Sequence, residues 1–197
     1  MRKSIQRNVL LVGACLLAAA SARGQLAYSQ VRQIVDSLDV AVVYNPVVTN
    51  VVGGDRFSMQ GGSVQVHGQF WRGLGVVADI SGLHSNGNGS GVGVDLVTAT
   101  FGPRYTWSPE NRRYAFFGEF LIGAAHGFNS IFPTPLGSVS SANSLAWNFG
   151  GGTNVHLTRR ITLRAFEADW LRTEMPNGAT GLQNNIRLGA GLIFKFK

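Results

Sequence analysis

The residues of this sequence that could do chemistry are few, and most are polar groups spaced two apart between apolar ones. In residues 64–70, valine, glycine and phenylalanine alternate with glutamine and histidine. Successive side chains of a β-strand point to opposite faces, so this spacing collects the polar groups on one face. Charged residues on the polar face are Asp39, Asp79, Arg104, Glu119, Glu167, Asp169 and Arg187. Such groups can form ion pairs that either fill an interior or open and close a passage.

Signals for a metal or cofactor site are weak. His67, His126 and His156 lie far apart without metal-ligand spacing. The glycines of residues 87–93 resemble a nucleotide loop only superficially, since no parallel strand or helix pattern follows them. We therefore expect no metal and no cofactor. The glycines at 150–152 are expected to permit curvature or close packing within a strand.

Eight strand-like segments position these polar groups. They cover residues 38–44, 63–71, 74–82, 94–107, 114–126, 144–157, 161–172 and 183–196. Short connections at 72–73, 108–113 and 158–160 alternate along the chain with longer ones at 45–62, 83–93, 127–143 and 173–182. Short turns at one end and long loops at the other are typical of membrane barrels. The pattern predicts an all-β fold, an eight-stranded antiparallel up-and-down transmembrane β-barrel.

The N-terminal residues indicate export rather than fold. Arg2, Lys3 and Arg7 precede an apolar stretch at 9–20, and small residues follow at 20–22. We expect a signal peptide at 1–22, with cleavage after Gly24 as the alternative and lipidation of Cys15 as a weaker one. A periplasmic lead-in at 23–37 and the barrel at 38–197 would follow. Removing three basic residues lowers the net charge from +7 to +4, so nucleic-acid binding is not expected.

Composition and aromatic placement decide which face of the sheet meets lipid. Only 14% of residues are charged, against about 25% in soluble domains, and no apolar run is long enough for a membrane helix. A soluble barrel with its apolar face around a ligand is the alternative. Aromatic residues cluster at both ends of the strands, as at lipid–water boundaries. The loop-end ring is Tyr44, Trp147 and Trp170, and the turn-end ring is Tyr105, Trp107, Tyr114, Phe194 and Phe196.

At the level of whole segments, the chain resembles the small eight-stranded outer-membrane barrels of the OmpA-like transmembrane, or porin-family, type. The matching pieces are residues 101–105, residues 165–171 and the closing strand 185–197. The resemblance implies a Gram-negative outer-membrane location after export. Its implied partners are outer-membrane lipid and lipopolysaccharide, and the barrel assembly machinery that reads a C-terminal aromatic residue. Here Lys197 follows Phe196. A monomer without a peptidoglycan-binding domain is expected.

Polar residues facing the lumen are expected to pair, because a buried charge without a partner is costly. Strand neighbours predict Arg104 with Glu119, and Arg187 with both Asp169 and Asp39. Strict alternation sends Arg164 outward, where it could snorkel to the boundary, unless a bulge returns it to the lumen.

These residues favour a non-enzymatic outer-membrane barrel that contributes to envelope integrity, with its lumen largely filled. The first alternative is a narrow gated channel for ions or small solutes. The second is a surface-binding module using the apolar residues of the third loop, Phe128, Ile131, Phe132 and Leu136. The last is a lipid A-modifying esterase, because His84-Ser85 is similar to the His-Ser pair of outer-membrane deacylases. The turns are basic, with Arg72, Arg112, Arg113, Arg159, Arg160, Lys195 and Lys197, and could meet anionic headgroups or murein.

Overall fold

Eight strands account for nearly all of the described chain. The structure is a computed structural model that describes residues 36–50, 56–86, 93–109, 113–134, 137–176 and 181–196. In chain order the strands are β1 Ser37–Asn50, β2 Arg56–Trp71, β3 Leu74–Ser85, β4 Val94–Trp107, β5 Tyr114–Thr134, β6 Gly137–His156, β7 Ile161–Thr173 and β8 Gln183–Lys195. Within these ranges no helix is long and apolar enough to cross a membrane.

The strands form one closed antiparallel barrel. Each strand pairs with the next along the chain, and β1 pairs with β8 to close the sheet. Closure leaves no edge strand within the barrel wall, whereas β5 beyond Phe128 and β6 before Ala146 pair only with each other. The prediction of an eight-stranded antiparallel up-and-down barrel is confirmed.

The apolar face of the sheet points outward. Along β3 and β4, buried and exposed residues alternate almost without interruption. Ile80, Phe101 and Phe149 are each more than 60% exposed, whereas Asp79 and Gln65 are fully buried inside the barrel. Large apolar side chains left open to the surroundings all around a barrel are suited to hydrocarbon and not to water. The predicted orientation, apolar face out and polar face in, is confirmed.

Two segments predicted as long loops are mostly strand. Residues 45–62 extend β1 to Asn50 and begin β2 at Arg56, and residues 127–143 extend β5 to Thr134 and begin β6 at Gly137. Glycines and prolines in both segments indicated loops. The prolines are tolerated because each lies where one neighbouring strand is not paired: β1–β8 pairing skips Pro46, and β4–β5 pairing ends at Phe128, before Pro133. The register of β5 against β6 also shifts between Phe128 and Phe132. The predicted signal peptide and nearly all of the lead-in lie outside the described residues.

A bulge in β7 breaks the alternation of its side chains. The register against β6 shifts between Thr153 and Asn154, and the register against β8 shifts between Arg164 and Glu167. Ala165 and Phe166 therefore both face outward. The extra residue returns Arg164 to the lumen, where it is 1% exposed. Of the two placements left open for this arginine, the bulge is the one adopted.

Candidate functional site

The candidate site is the lumen, and two aromatic rings set its position in the membrane. Tyr44, Trp147 and Trp170 face outward toward the loop end of the barrel, and all five residues of the turn-end ring are also exposed. On β5, Tyr114 lies opposite Val155, and Ile122 lies opposite Trp147. These eight steps span about 26 Å along the strand, or roughly 20 Å along the axis at a tilt of about 40°. This span is comparable with the apolar band of outer-membrane barrels.

The Gln65 side-chain amide is the hub of the middle of the lumen. Its Nε2 donates to Asp79 Oδ2 at 2.9 Å and to Glu167 Oε1 at 3.1 Å. Its Oε1 accepts from Arg104 Nη2 at 2.7 Å and from Arg164 Nη1. One neutral amide thus uses both its donor and its acceptor sides to connect two carboxylates and two guanidinium groups.

Three arginines and four carboxylates surround this amide. Arg104 Nε donates to Glu119 Oε2 at 2.5 Å, and Arg164 pairs with Glu167. Arg187 lies 2.8 Å from Asp169, 3.2 Å from Asp79 and 3.6 Å from Glu167. All seven groups are buried. The structure brings together six of the seven sequence-predicted lumen charges, and this set with Arg164 and Gln65 is called the ion-pair layer below.

The predicted pairing of Arg187 with Asp39 is wrong. Strands β1 and β8 are adjacent, but their register places Asp39 opposite Lys195 and Arg187 opposite Val47. Asp39 therefore lies at the turn end of the lumen, 3.5 Å from His67 Nδ1. Arg187 reaches across the bore to Asp79 on β3 instead, because an eight-stranded barrel is narrow enough for opposite walls to touch.

Phe117 is an aromatic member of this otherwise polar layer. Its ring centroid lies 4.6 Å from the Arg104 guanidinium carbon and 4.4 Å from that of Arg164. Cations stacked on a ring face are attracted by its quadrupole, more strongly when water is excluded. The ring lies against Gly152, where a Cβ would approach Phe117 Cε1 to 2.9 Å. At Gly150 a Cβ would approach Asp169 Oδ1 to 2.0 Å, so the expected close packing at these glycines is confirmed.

Three carboxylates of the layer have the spacing of a metal site. Ligand oxygens of Glu119, Glu167 and Asp169 lie within 4.8 Å of one another. Each of these groups, however, already holds an arginine: Arg104 on Glu119, Arg164 on Glu167 and Arg187 on Asp169. The guanidinium groups supply the positive charge that a metal ion would supply, so the arrangement fits an internal salt-bridge network better than a metal centre.

Toward the turn end the lumen opens into a polar vestibule. The cavity has a volume of about 100 Å³. At its rim His156 Nδ1 and the Thr162 hydroxyl share a hydrogen bond of 2.9 Å, and Lys195 Nζ lies 3.4 Å from the same nitrogen. Further lining comes from Asp39, His67, Gln69, Thr106 and Asn154. Arg104 and Arg164 form the floor of the vestibule, so the ion-pair layer ends it.

Toward the loop end an apolar cap closes the lumen. Nine buried side chains pack together there: Val47, Met59, Leu83, Leu96, Ala125, Phe132, Ala146, Leu171 and Met175. Phe132 and Met175 lie over Gly127, where a Cβ would approach their side chains to 2.8 and 2.9 Å. Gln183 holds Met175 in place, since its amide accepts from Met175 N at 2.9 Å and donates to Met175 O at 2.8 Å.

The apolar residues of the predicted third loop are divided between cap and surface. Phe132 is buried in the cap, Phe128 is half-buried and Ile131 is 61% exposed, while Leu136 lies outside the described residues. The three described residues therefore do not form one exposed patch, because they differ in the face of the sheet that they occupy.

His84 and Ser85 cannot act as a base and a nucleophile together. They are neighbours on β3, so His84 is exposed on the outer face and Ser85 is buried on the lumen face. His84 lies beyond the ring of Tyr44 and Trp147, where it donates from Nδ1 to Asp95 Oδ1 at 2.5 Å. This hydrogen bond, assisted by one to Asn86, raises the pKa of His84 above its ordinary value.

No protein-family model matches this chain, and no curated protein sequence matches it. Among solved structures, Neisserial surface protein A (NspA) aligns with 81% of this chain and 97% of its own, at 12% identity and a TM-score of 0.63. Ail, the attachment invasion locus protein of Yersinia pestis, aligns with 81% of this chain and 98% of its own, at 15% identity and a TM-score of 0.56. The chain has the fold of a small outer-membrane barrel.

The site contains three important residues that sequence reasoning did not select. Gln65 was recognisable as a lumen residue, but nothing in its neighbourhood marked it as the hub. Phe117 has an apolar side chain on the polar parity of β5, and that exception to the alternation was the available signal. Arg164 depended on a bulge that no local residue type required.

Proposed function

We propose that this chain is an exported outer-membrane protein whose filled barrel contributes to the integrity of the envelope and catalyses no reaction. The single observation that carries the proposal is the closure of the lumen at two levels, by the ion-pair layer and by the apolar cap. A closed barrel with an apolar outer belt is suited to a structural role in the membrane. The loops would face the outside and the turns the periplasm, as is usual for such barrels.

Conduction would require both closures to open. An ion would have to separate Arg104 from Glu119 and Arg187 from Asp169, and each separation leaves a buried charge without a partner. It would then meet the apolar cap, where no polar group replaces its hydration shell. These two barriers support a barrel that does not conduct at rest.

Three observations support a non-enzymatic role. His84 and Ser85 point to opposite faces, and the similar structures are those of a surface protein, NspA, and of an attachment invasion locus protein, Ail. The carboxylates of the ion-pair layer are held by arginines, so none is presented to a substrate.

Planar-bilayer recording tests the filled lumen. We expect no steady current from the wild-type barrel, and a steady open current would overturn the proposal. The triple variant R104Q/E119Q/F132A, which weakens both closures, then separates a gate from a filling. A gate predicts new conductance, whereas a filling predicts only a lower temperature for the gel shift between folded and unfolded forms. Arg72→Gln, in an exposed turn, is the control.

A permeability assay tests the role in the envelope. In a strain lacking the protein, entry of a hydrophobic fluorescent dye should rise and should return to normal when the wild-type chain is restored. R104Q/E119Q should also restore the barrier if it folds, because a closed apolar belt, and not a regulated pore, is needed. Unchanged dye entry in the deletion strain would contradict the proposal.

A second candidate function is attachment to an external surface. It is favoured by the length of β5 and β6, which have 21 and 20 residues against 12 or 13 in β3, β7 and β8, and by the similarity to Ail. The extended ribbon carries exposed Ile131 and Val139. Replacing both by serine should reduce cell attachment while leaving the gel shift unchanged. Attachment equal to that of the wild type would remove this candidate.

A further inference from the structure

A groove crosses the outside of the barrel wall at the turn end, where β7 begins and β8 ends. Arg159, Arg160, Ile161, Phe194, Lys195 and Phe196 line it. Strand register places Ile161 directly opposite Phe194. The groove thus combines two arginines at the tip of a turn with an apolar strip on the belt face.

The turn that carries the two arginines is held firmly. Thr158 Oγ1 accepts from Arg160 N at 3.2 Å and from Ile161 N at 2.9 Å. Leu157 N donates to Ile161 O at 3.1 Å, and Lys195 N donates to Arg160 O at 2.8 Å. The last bond ties the turn to β8, so the arginines and the apolar strip keep one relative position. A preorganised site loses less freedom on binding than a loose one.

The apolar strip lies at the depth of the membrane boundary. Phe194 and Phe196 belong to the turn-end aromatic ring and are 40% and 56% exposed. Ile161 continues the strip on β7 and is also exposed. The arginines follow within one or two residues on the aqueous side, which is the separation between a phosphate headgroup and the first carbons of its acyl chain.

The charge at this end is mainly positive. Arg72, Arg113, Arg159 and Arg160 are exposed there. Two carboxylates of the described residues lie at this end, those of Asp36 and Asp39. Asp36 lies beside β2, where its backbone N–H donates to Gln69 O at 2.7 Å. Asp39 turns into the lumen toward His67. Lys195 also turns inward, toward His156, so Arg159 and Arg160 supply the charge of the groove.

We propose that this groove binds an anionic phospholipid, with the phosphate on Arg159 and Arg160 and one acyl chain along Ile161, Phe194 and Phe196. Arginine presents several donors that match phosphate oxygens, and a cationic side chain at an anionic membrane surface contributes to binding. That the lipid comes from the inner leaflet rests on the proposed outer-membrane orientation. Binding itself needs only the folded barrel.

Native mass spectrometry of the detergent-solubilised barrel tests the groove. Phosphatidylglycerol, phosphatidylcholine and inorganic phosphate are added separately at equal concentration. We expect bound phosphatidylglycerol and little of the other two. R159Q/R160Q should weaken phosphatidylglycerol binding roughly 25-fold, about fivefold for each arginine. The matched control R72Q/R113Q removes the same charge from other turns and should weaken it less than threefold.

Three outcomes would overturn the proposal. Equal losses of phosphatidylglycerol binding in the two double variants would show that the exposed arginines of all the turns act together, with no site at the groove. Equal binding of phosphatidylcholine, whose phosphate is balanced by its choline cation, would show that the net negative charge of the headgroup does not select the lipid. Binding of inorganic phosphate equal to that of phosphatidylglycerol would show a simple anion site without an acyl-chain contact. The gel shift on heating confirms that each variant is folded, and none of these results depends on whether the barrel conducts.

Discussion

The two closures of the lumen differ in chemistry, although the same alternating strands build both. The ion-pair layer depends on a few charges with several partners each, such as Arg187 with Asp79, Glu167 and Asp169. The apolar cap depends on nine side chains in van der Waals contact. Loss of one charge leaves others unpaired, whereas loss of one apolar group leaves a space that neighbours partly fill. The ionic closure should therefore be the more sensitive to a single change.

The largest effect is expected at the ionic closure. Arg187→Gln removes the cation shared by three carboxylates and should lower the free energy of unfolding by about 3–5 kcal/mol. Urea unfolding in lipid vesicles measures it. Arg72→Gln, an exposed arginine, should change it by less than about 0.5 kcal/mol. Equal stability of the two variants would remove the contrast between the closures.

A smaller effect is expected at the apolar cap. Phe132→Ala removes a buried ring at the mouth and should cost about 3 kcal/mol, the low end for such truncations, because the site is next to solvent. Ile131→Ala, on the neighbouring exposed position, should cost less than about 0.5 kcal/mol. The same unfolding assay applies to both. A cost at Phe132 above that of Arg187→Gln would reverse the proposed order.

An effect smaller than that at the apolar cap is expected when a methyl group is added to the tightly packed ion-pair layer. Gly150→Ala places a methyl group 2.0 Å from Asp169 Oδ1 and 2.5 Å from the Ala168 carbonyl oxygen. Movement of backbone and carboxylate should cost about 1–3 kcal/mol. Gly82→Ala, on the outer face with nothing within 4 Å, is the matched control. If both alanines are tolerated equally, the layer is less tightly packed than its geometry indicates.

The smallest effect is expected outside both closures, at His84. Its pKa is raised by the Asp95 carboxylate, so its stabilising contribution is complete below the ordinary histidine pKa of about 6.5. It is lost as the pH rises through the folded-state pKa. An NMR titration should show a midpoint above 6.5 that falls in Asp95→Asn. An unchanged midpoint in that variant would exclude the hydrogen bond as the cause.

Strand number, closure and orientation could be predicted because they follow from local spacing. The pairs Arg104–Glu119 and Arg187–Asp169 belong to adjacent strands joined by short connections or loops, so position along the strand placed each pair at one height. The contacts of Gln65 with Glu167 and Arg164, and the contact of Asp79 with Arg187, cross the bore. They depend on barrel diameter and stagger, which no single segment encodes.

The register between β1 and β8, where the barrel closes, was the second feature that the sequence did not predict. Where β1 meets β8 no hairpin fixes the alignment, so Asp39 was expected near Arg187 and lies opposite Lys195 instead. Similarly, Pro133, Gly137 and the serines of 138–141 are common in loops, but the pairing of β5 with β6 continues through them. In both cases long-range pairing outweighed local preference.

The bulge in β7 offsets the residues before it by one position relative to a barrel whose seventh strand is regular. Between Arg164 and Glu167 the strand takes three steps while β8 takes two, so the wall accommodates one surplus residue without moving any lumen group. A correct alignment to a barrel with a regular seventh strand needs a one-residue gap at Ala165 or Phe166. An ungapped alignment would assign residues 161–164 to the opposite face and would equate Arg164 with a lipid-facing position.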